Sequence, residues 1–436
     1  MHPCRVSPLP VTAGIGYYPS MKILLLALYL LTLAVGLWLR ALNLRHLKQH
    51  GSTVPPEFAG AIDPAVLQRS SAYTLAQSRL GLIESLFGAG LTVAFLFGGL
   101  LQLYDGWIAS LSGSFIVAGL LFFLGLQLAQ TLLDIPFSLY RNFVLEARFG
   151  FNVMPGRLWL TDLLKSALLS LLLLGLLTAG ALAIIQASPQ SWWLWVWAFV
   201  ALVTLFLMYL SPYVIEPLFY KFEPVRNESL RTRIEALMTK AGLRVSRVQQ
   251  VDASRRSRHS NAYFTGIGRV KRIVLFDTLL AQMTAEEILA ILAHEAGHWK
   301  KGHIRRRLWT AELLSLAGFF VAFHLLQWGG LPPLLGLEQA SFFAQVVILG
   351  FLGSLLSFPL APLGSWLSRR HEWQADRFAT ELTGAPQDLA SALVKLSSEN
   401  LANLHPHPLY AWFHYSHPPM VERVRALRQT VKSQSE

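Results

Sequence analysis

Seven stretches of the chain contain no Asp, Glu, Lys or Arg: 23–39, 85–103, 107–133, 166–188, 189–215, 313–337 and 339–368. An α-helix needs about 20 apolar residues to cross ~30 Å of hydrocarbon. The pattern therefore predicts seven membrane-spanning helices, of which the first, at 17 residues, is marginal. Arg40 follows that first stretch directly and no small-residue cleavage site ends it, which marks an uncleaved anchor rather than a signal peptide. Polar spots inside the spans, Gln127, Gln130 and Gln345, and the helix-bending Pro359 and Pro362, are candidates to line or bend an interior wall.

Two regions outside the spans are long enough to fold. Residues 216–307 predict a helix near Glu228–Gly242, two β-like runs at Val245–Val251 and Arg272–Phe276, and a short β-like run over 260–264. A further helix begins at Thr284, with Glu287 three residues on as its capping-box partner. Residues 365–436 predict two or three helices. Neither region is long enough for a comfortable core of its own, so the two are expected to pack together at the membrane face.

Composition supports the membrane reading. Of 436 residues, 53% are hydrophobic and only 14% charged. A soluble domain carries about 25% charged residues, so both a disordered chain and a single soluble enzyme are excluded. The formal charge is +12, and its distribution explains it: eighteen of the 37 Lys and Arg lie in 216–307, eight in 369–436, five in 40–84 and four in 134–165. The connections near 104–106, 188–190 and 338 hold none. The positive-inside rule then puts the N-terminus outside and the C-terminus in the cytoplasm, in a bacterial inner membrane or an endoplasmic-reticulum membrane. The runs Arg255-Arg256-Ser257-Arg258 and Arg305-Arg306-Arg307 adjoin membrane ends, so no nucleic-acid partner is expected. The single cysteine, Cys4, excludes an intramolecular disulfide and a cysteine-based metal cluster.

The expected organisation is an N-terminal extension (1–22, with Met21 as an alternative start) and five spans with cytoplasmic loops 40–84 and 134–165 (23–215). A cytoplasmic catalytic region (216–307), two spans (308–368) and a C-terminal cytoplasmic region (369–436) follow.

The chemistry lies in His294-Glu295-Ala296-Gly297-His298. On a helix, residues i and i+4 share a face, so His294 and His298 can hold one metal ion while Glu295 projects beside it as a general base. This is zinc geometry, and a catalytic zinc takes three protein ligands with one open position. Candidates for the third ligand are His303, His371, Glu372, Asp376 and the late histidines His405, His407, His414 and His417. Glu372 and Asp376 are themselves i, i+4, so one can ligate while the other supports a ligand histidine.

Around that motif stand Ser260-Asn261-Ala262-Tyr263-Phe264, Trp299-Lys300-Lys301-Gly302-His303, Ser368 to Asp376, Tyr415-Ser416-His417-Pro418-Pro419 and Glu422-Arg423. In these segments the chain resembles the M48 metallopeptidases, and within them the integral-membrane CAAX prenyl protease 1 type, over nearly its whole length except the first 20 residues. The resemblance implies an all-α membrane protein of about seven spans enclosing a chamber, joined to a mainly α, gluzincin-like zinc peptidase domain with a small β-sheet. It implies one Zn2+ held by His294, His298 and Glu372, and Glu295 as the base that activates a zinc-polarised water. It also implies Asp376 as support, His417 as a catalytic residue near the oxyanion, and Asn261, Ala262 and Tyr263 as the edge that binds substrate backbone. The expected activity is that of a zinc metalloendopeptidase acting near the C-terminus of peptides, prenylated or not, with the lipid bilayer as its other partner. The rival readings are a heat-shock-type M48 quality-control protease, a site-2-type intramembrane protease and a transporter or receptor with a vestigial metal site. Lys300, Lys301 and three arginines close behind the motif disfavour the second, and the intact motif disfavours the third.

Overall fold

The computed structural model describes residues 19–265 and 270–435. The extension expected over 1–22 therefore lies outside the described residues up to position 18. Among the described residues, seven helices are long and apolar enough to cross a bilayer. They are α1 (Pro19–His50), α2 (Pro64–Thr92, prolonged by a π-turn to Phe97), α4 (Phe115–Leu139, prolonged likewise to Glu146) and α5 (Gly156–Ala187). The others are α6 (Trp192–Leu210), α11 (His303–Trp328) and α13 (Phe342–Thr383). A short α3 (Leu100–Leu111) lies between α2 and α4. The outer faces are apolar and open: Leu164, Leu168, Leu172 and Leu176 recur at helical spacing on α5 and are all exposed. That surface is stable only against lipid.

The helices run well past the uncharged stretches. Connections foreseen as 40–84 and 134–165 shrink to 51–63 and 147–155, because charged residues such as Arg40, Arg79 and Arg141 sit on helical turns that continue beyond the apolar band. The connection foreseen at 104–106 is helical. The chain instead breaks at Gly99, in the left-handed region at φ +87°, and turns at 112–114 before the Ser114 cap of α4. The most consequential difference is α13. Its 42 residues make a rod about 63 Å long, twice the hydrocarbon thickness, so one helix is both the last span and the carrier of Glu372 and Asp376. Pro359 and Pro362 lie inside it, each removing one helical hydrogen bond.

The catalytic end follows from α7 (Ile215–Phe219), β1 (Phe222–Pro224), α8 (Glu228–Lys240), β2 (Arg244–Val251), β3 (Ala262–Thr265), β4 (Val270–Phe276), α9 (Asp277–Gln282) and α10 (Ala285–Lys300). The sheet order is β1-β2-β4-β3, with β2 and β4 parallel and both outer pairings antiparallel. After α11 and the short α12 (Leu331–Leu334), the chain runs through α13, α14 (Pro386–Glu399), α15 (Pro408–His414) and α16 (Met420–Ser435). One core joins Ile234 and Met238 of α8, Ile273 and Leu275 of β4, Leu292 and Ala293 of α10, Leu389 and Leu393 of α14 and Val424 of α16, with Phe58 from the first connection and Leu67 from the start of α2. A second, at the opposite end of the bundle, holds Leu101, Phe122, Leu331, Phe343 and Ile348. Arg256 clamps Asp162 of α5 at 2.8 Å, and His46 of α1 meets the carbonyl of His405 at 3.2 Å, so the catalytic end sits directly on the span ends.

Polar side chains line a gap between the spans. A cavity of about 620 Å³ opens between α1, α2 and α4, lined by Glu84, Thr92, Gln130, Asp134 and Arg141. Gln130 donates to Asp134 at 2.9 Å, Gln127 to Thr131 at 3.4 Å and Gln345 to the carbonyl of Ala340 at 3.0 Å.

Candidate metal centre

Helix α10 begins with the foreseen capping box: Thr284 Oγ1 accepts from the Glu287 amide at 3.3 Å and Glu287 Oε2 from the Thr284 amide at 2.8 Å. Glu287 is 4% exposed and also accepts from Ser391 at 2.6 Å and Lys395 at 2.8 Å, which ties the helix start to α14. Along α10, Ile288, Leu292, Ala293 and Ala296 are buried, so the register of the helix is fixed before its chemistry begins two turns on. Gly297 allows α10 to approach α13 closely: a Cβ placed there would lie 3.0 Å from the Cα of Ala375.

That crossing brings three donors to one point. His294 Nε2 and His298 Nε2 are 3.2 Å apart, and Glu372 places Oε2 3.3 Å from the first and Oε1 3.4 Å from the second. With metal–ligand bonds of about 2.0–2.1 Å, a tetrahedron has edges of about 3.3 Å, so the spacing fits zinc. Glu372 is 2% exposed, and its Oε2 is sealed from solvent without a hydrogen-bond partner, a cost that a cation in the gap would remove. Among the described residues these three form the one such group.

The histidines are held by their other nitrogens. His294 Nδ1 lies 2.8 Å from Asp376 Oδ1, and Arg423 of α16 forks onto the same carboxylate at 2.6 and 2.8 Å. His298 Nδ1 lies 3.1 Å from His303 Nδ1, while His303 Nε2 meets Gln374 Oε1 at 2.8 Å. A carbonyl oxygen only accepts, so His303 carries its proton on Nε2 and accepts from His298 through Nδ1. Both histidines thereby turn an Nε2 lone pair toward the gap, as metal ligands would. His303 is 1% exposed and stacks on His371 at 4.1 Å.

The electrostatics agree. Burial works against charge on His294, yet the adjoining carboxylates of Asp376 and Glu372 outweigh that and hold its pKa up at about 9. Burial and the nearby His294 push His298 down to about 3. The carboxylates of Asp376 and Glu372 thus favour positive charge at the cluster, while His298 is kept neutral with a lone pair free to offer a metal. Burial also raises the pKa of Glu295, partly offset by the charge on His294, which increases its affinity for a proton.

Of the remaining candidates, His417 reaches the cluster, its Nε2 3.5 Å from Glu372 Oε1 and its Nδ1 3.0 Å from Ser416 Oγ. Asn261, Ala262 and Tyr263 lie at the start of β3, which packs near α10 and pairs only with β4 among the described residues, leaving its other edge open. His405 bonds the carbonyl of Thr53 at 2.7 Å, His407 caps α15 and His414 packs on Tyr410, so these three serve the fold instead. Sequence reasoning gave no role to Arg423 or Gln374. The signal available was that both lie in segments that carry the family resemblance, Ser368 to Asp376 and Glu422-Arg423.

A multi-pass helical bundle carrying a two-histidine, one-glutamate cluster with an adjacent glutamate defines a membrane metalloprotease. The chain belongs to peptidase family M48. Residues 224–431 match the family model, and residues 43–221 match the CAAX prenyl protease N-terminal model of five membrane helices. It is 35% identical to CAAX prenyl protease 1 homolog of Arabidopsis thaliana over 86% of this chain and 90% of that one. It is 34% identical to CAAX prenyl protease 1 of Saccharomyces cerevisiae (86% and 88%) and 31% identical to the Homo sapiens homolog (94% and 96%). The crystal structure of S. mikatae Ste24p superposes with a TM-score of 0.86 at 30% identity, covering 94% of this chain and all of that one. The family implies zinc as the metal. The rival readings as a heat-shock-type protease or a transporter draw no support from these matches.

Proposed function

We propose that the protein hydrolyses peptide bonds near the C-terminus of membrane-associated substrates, lipidated or not, with zinc held by His294, His298 and Glu372. The observation that carries this reading is the convergence of those three donors on one gap with Glu295 beside it. When bound there, zinc supplies a Lewis acid that polarises a carbonyl and acidifies water. Glu295 takes the proton of the attacking water and returns it to the leaving nitrogen, a task suited to a carboxylate whose pKa burial has raised. Asp376, itself held by Arg423, fixes the tautomer and angle of His294. His417 stands close enough to donate to the oxyanion that develops. The open edge at Asn261, Ala262 and Tyr263 receives substrate as an added strand.

The relatives' names concern CAAX motifs and prenyl groups, and this chain's placement of the cluster at the end of a span suits a substrate anchored in the same bilayer. The basic residues concentrate at that end, so the site faces the cytoplasm and the N-terminus lies outside. Purified full-length protein in detergent should cut a peptide substrate, lose activity to a chelator and regain it with zinc. Glu295→Gln should slow cleavage by about 10²–10⁴-fold while the protein keeps its zinc. Zinc-loaded protein that cuts no peptide at all refutes the reading.

A further inference from the structure

The chain that leads into β3 is fastened to the membrane half of the molecule. Ahead of that strand the Arg258 amide donates to the carbonyl of Phe151 at 3.0 Å, and Ser257 pairs with Asn152 in an isolated antiparallel bridge. Phe151 and Asn152 belong to the connection between α4 and α5. At the next residue, His259, the attachment becomes electrostatic. Its Nε2 lies 3.3 Å from Oε2 of Glu146, the last residue of the prolonged α4, and its Nδ1 lies 3.0 Å from Asn400 Oδ1. Asn400 Oδ1 also accepts from the Ser260 amide at 3.3 Å, which identifies that atom as the oxygen. Glu146 Oε1 accepts from the Tyr73 hydroxyl at 2.7 Å.

Both ring nitrogens of His259 thus face acceptors. A neutral imidazole has one N–H and satisfies only one of them, so the arrangement favours the imidazolium, with a proton on each nitrogen. The Phe151 ring stacks on it at 3.9 Å, and an aromatic face attracts a cation. Burial works against the charge, but the bonds to Glu146 and Asn400 outweigh it and raise the pKa of His259. Both side chains lie on the wall of a cavity of about 610 Å³. Among the described residues lining it, Glu146 is the one carboxylate; the other charged or titratable groups are Arg40 of α1, Tyr73 of α2, Tyr410 of α15 and Tyr415. Two further features show a built site. Leu401 holds φ at +49°, in the left-handed region that a leucine occupies at a cost, and this turn delivers Asn400 to His259 while Leu401 packs with Tyr73, Phe149 and Phe151. On the other side, the His259 carbonyl accepts from Thr278 Oγ1 at 2.9 Å and Ser260 Oγ bonds Gln282, both residues of α9.

We propose that Glu146 and His259 are positioning residues for the peptidase reaction: their ion pair ties the root of β3 to the end of α4, and so sets the edge at Asn261, Ala262 and Tyr263 on which substrate backbone is laid. The proposal rests on the reading of that edge given above and adds its dependence on a membrane span. The pair acts through β3, so its effect falls on substrate binding rather than on the chemical step. A histidine whose pKa is raised by its partner makes the tie fully below the ordinary histidine value, near 6.5, and loses it as pH rises through the folded-state value.

The test uses full-length zinc-loaded protein in detergent and a peptide long enough to lie along β3, with no group that titrates between about pH 6 and 9. Wild-type KM should rise about tenfold as alkaline pH removes the His259 proton, the scale of one charge-assisted hydrogen bond. Glu146→Gln should raise KM about tenfold at neutral pH and move the remaining rise to lower pH. Asn400→Asp gives His259 a second carboxylate and should move the rise to higher pH; kcat should stay within about twofold in both variants. Other groups of the site contribute alike to all three curves, so the opposite shifts isolate His259. Hydrogen exchange at the His259 ring C2, read by mass spectrometry, follows the same titration without needing activity and should shift in the same two directions. KM curves that coincide in wild type and both variants overturn the proposal. So does Glu146→Gln that loses kcat and thermal stability while its KM curve stays in place, the mark of a merely structural contact. A His259 exchange titration in the wild type that matches an exposed histidine overturns it too, and decides the matter if Glu146→Gln fails to fold. Each of these leaves the peptidase reading standing, whereas a wild type that cuts no peptide refutes that reading and the positioning role with it.

Discussion

Gly297 sits between the turns of His294 and His298, the proposed metal-binding histidines, and the helix that carries Glu372, and replacing it with alanine isolates the geometric demand of the site. On helix propensity alone the change should stabilise α10 by about 1 kcal/mol. The added Cβ, however, would lie 3.0 Å from Ala375 Cα, 3.2 Å from Ala375 O and 3.2 Å from a ring carbon of Phe378, where ordinary contacts begin at 3.4 Å. Two of these three neighbours are backbone, so α13 must retreat by a few tenths of an ångström rather than rotate a side chain away. Overpacking of this kind costs about 1–3 kcal/mol, which cancels or exceeds the propensity gain. Ala375 lies between Glu372 and Asp376, so the retreat moves a ligand and the group that orients His294 together. Metal–ligand distances tolerate only about 0.2 Å, less than the displacement. Gly297→Ala should therefore unfold at nearly the wild-type temperature yet bind zinc at least tenfold more weakly, and when saturated with zinc cut peptides about 10- to 100-fold more slowly. A competition titration against a zinc-chelating dye and a peptide-cleavage assay read the two effects. Gly318→Ala on α11, where a Cβ would meet nothing within 4 Å, is the control and should leave both unchanged. Wild-type zinc affinity and rate in Gly297→Ala would show that the crossing of α10 and α13 does not set the ligand geometry.

Glu372→Ala should abolish tight zinc binding itself, seen as substoichiometric metal by elemental analysis of protein that still elutes as a folded particle in detergent. Arg423→Gln leaves the Asp376 carboxylate buried beside His294 alone, a loss of about 3–5 kcal/mol that thermal unfolding should register even in zinc-free protein. Burial would raise the pKa of Glu287, but its bonds from Lys395, Ser391 and the Thr284 amide outweigh that and lower it. A lowered folded-state pKa contributes stability that is present above the unfolded value, near 4.3, and lost as pH falls through the folded one. Melting temperature should thus fall less steeply below about pH 4.5 in Glu287→Gln than in the wild type, and parallel curves would contradict the assignment.

The sequence by itself determined the spans and the seat of the chemistry. Uncharged runs of membrane length have one low-energy environment, and the Thr284–Glu287 box with the apolar face of α10 fixes a helix on which His294 and His298 must share a side. Local rules suffice there because each interaction joins residues within four positions. Element ends were less legible: α2, α4 and α13 carry on past their apolar bands because helical hydrogen bonding continues through charged residues once water is reached. What only the tertiary structure decided is how distant segments meet. Glu372 reaches the histidines because a glycine lets two helices close to backbone contact, Arg423 finds Asp376 across 47 positions, and His303 orients His298 through a glutamine 71 positions away. The arginines of α11 read in sequence as a topology signal; in three dimensions they share one cavity with α13 beside the metal cluster. A charge's distance from the membrane is written along the chain, but its neighbours are set by packing, and these long-range neighbours supply the order that the site's chemistry requires.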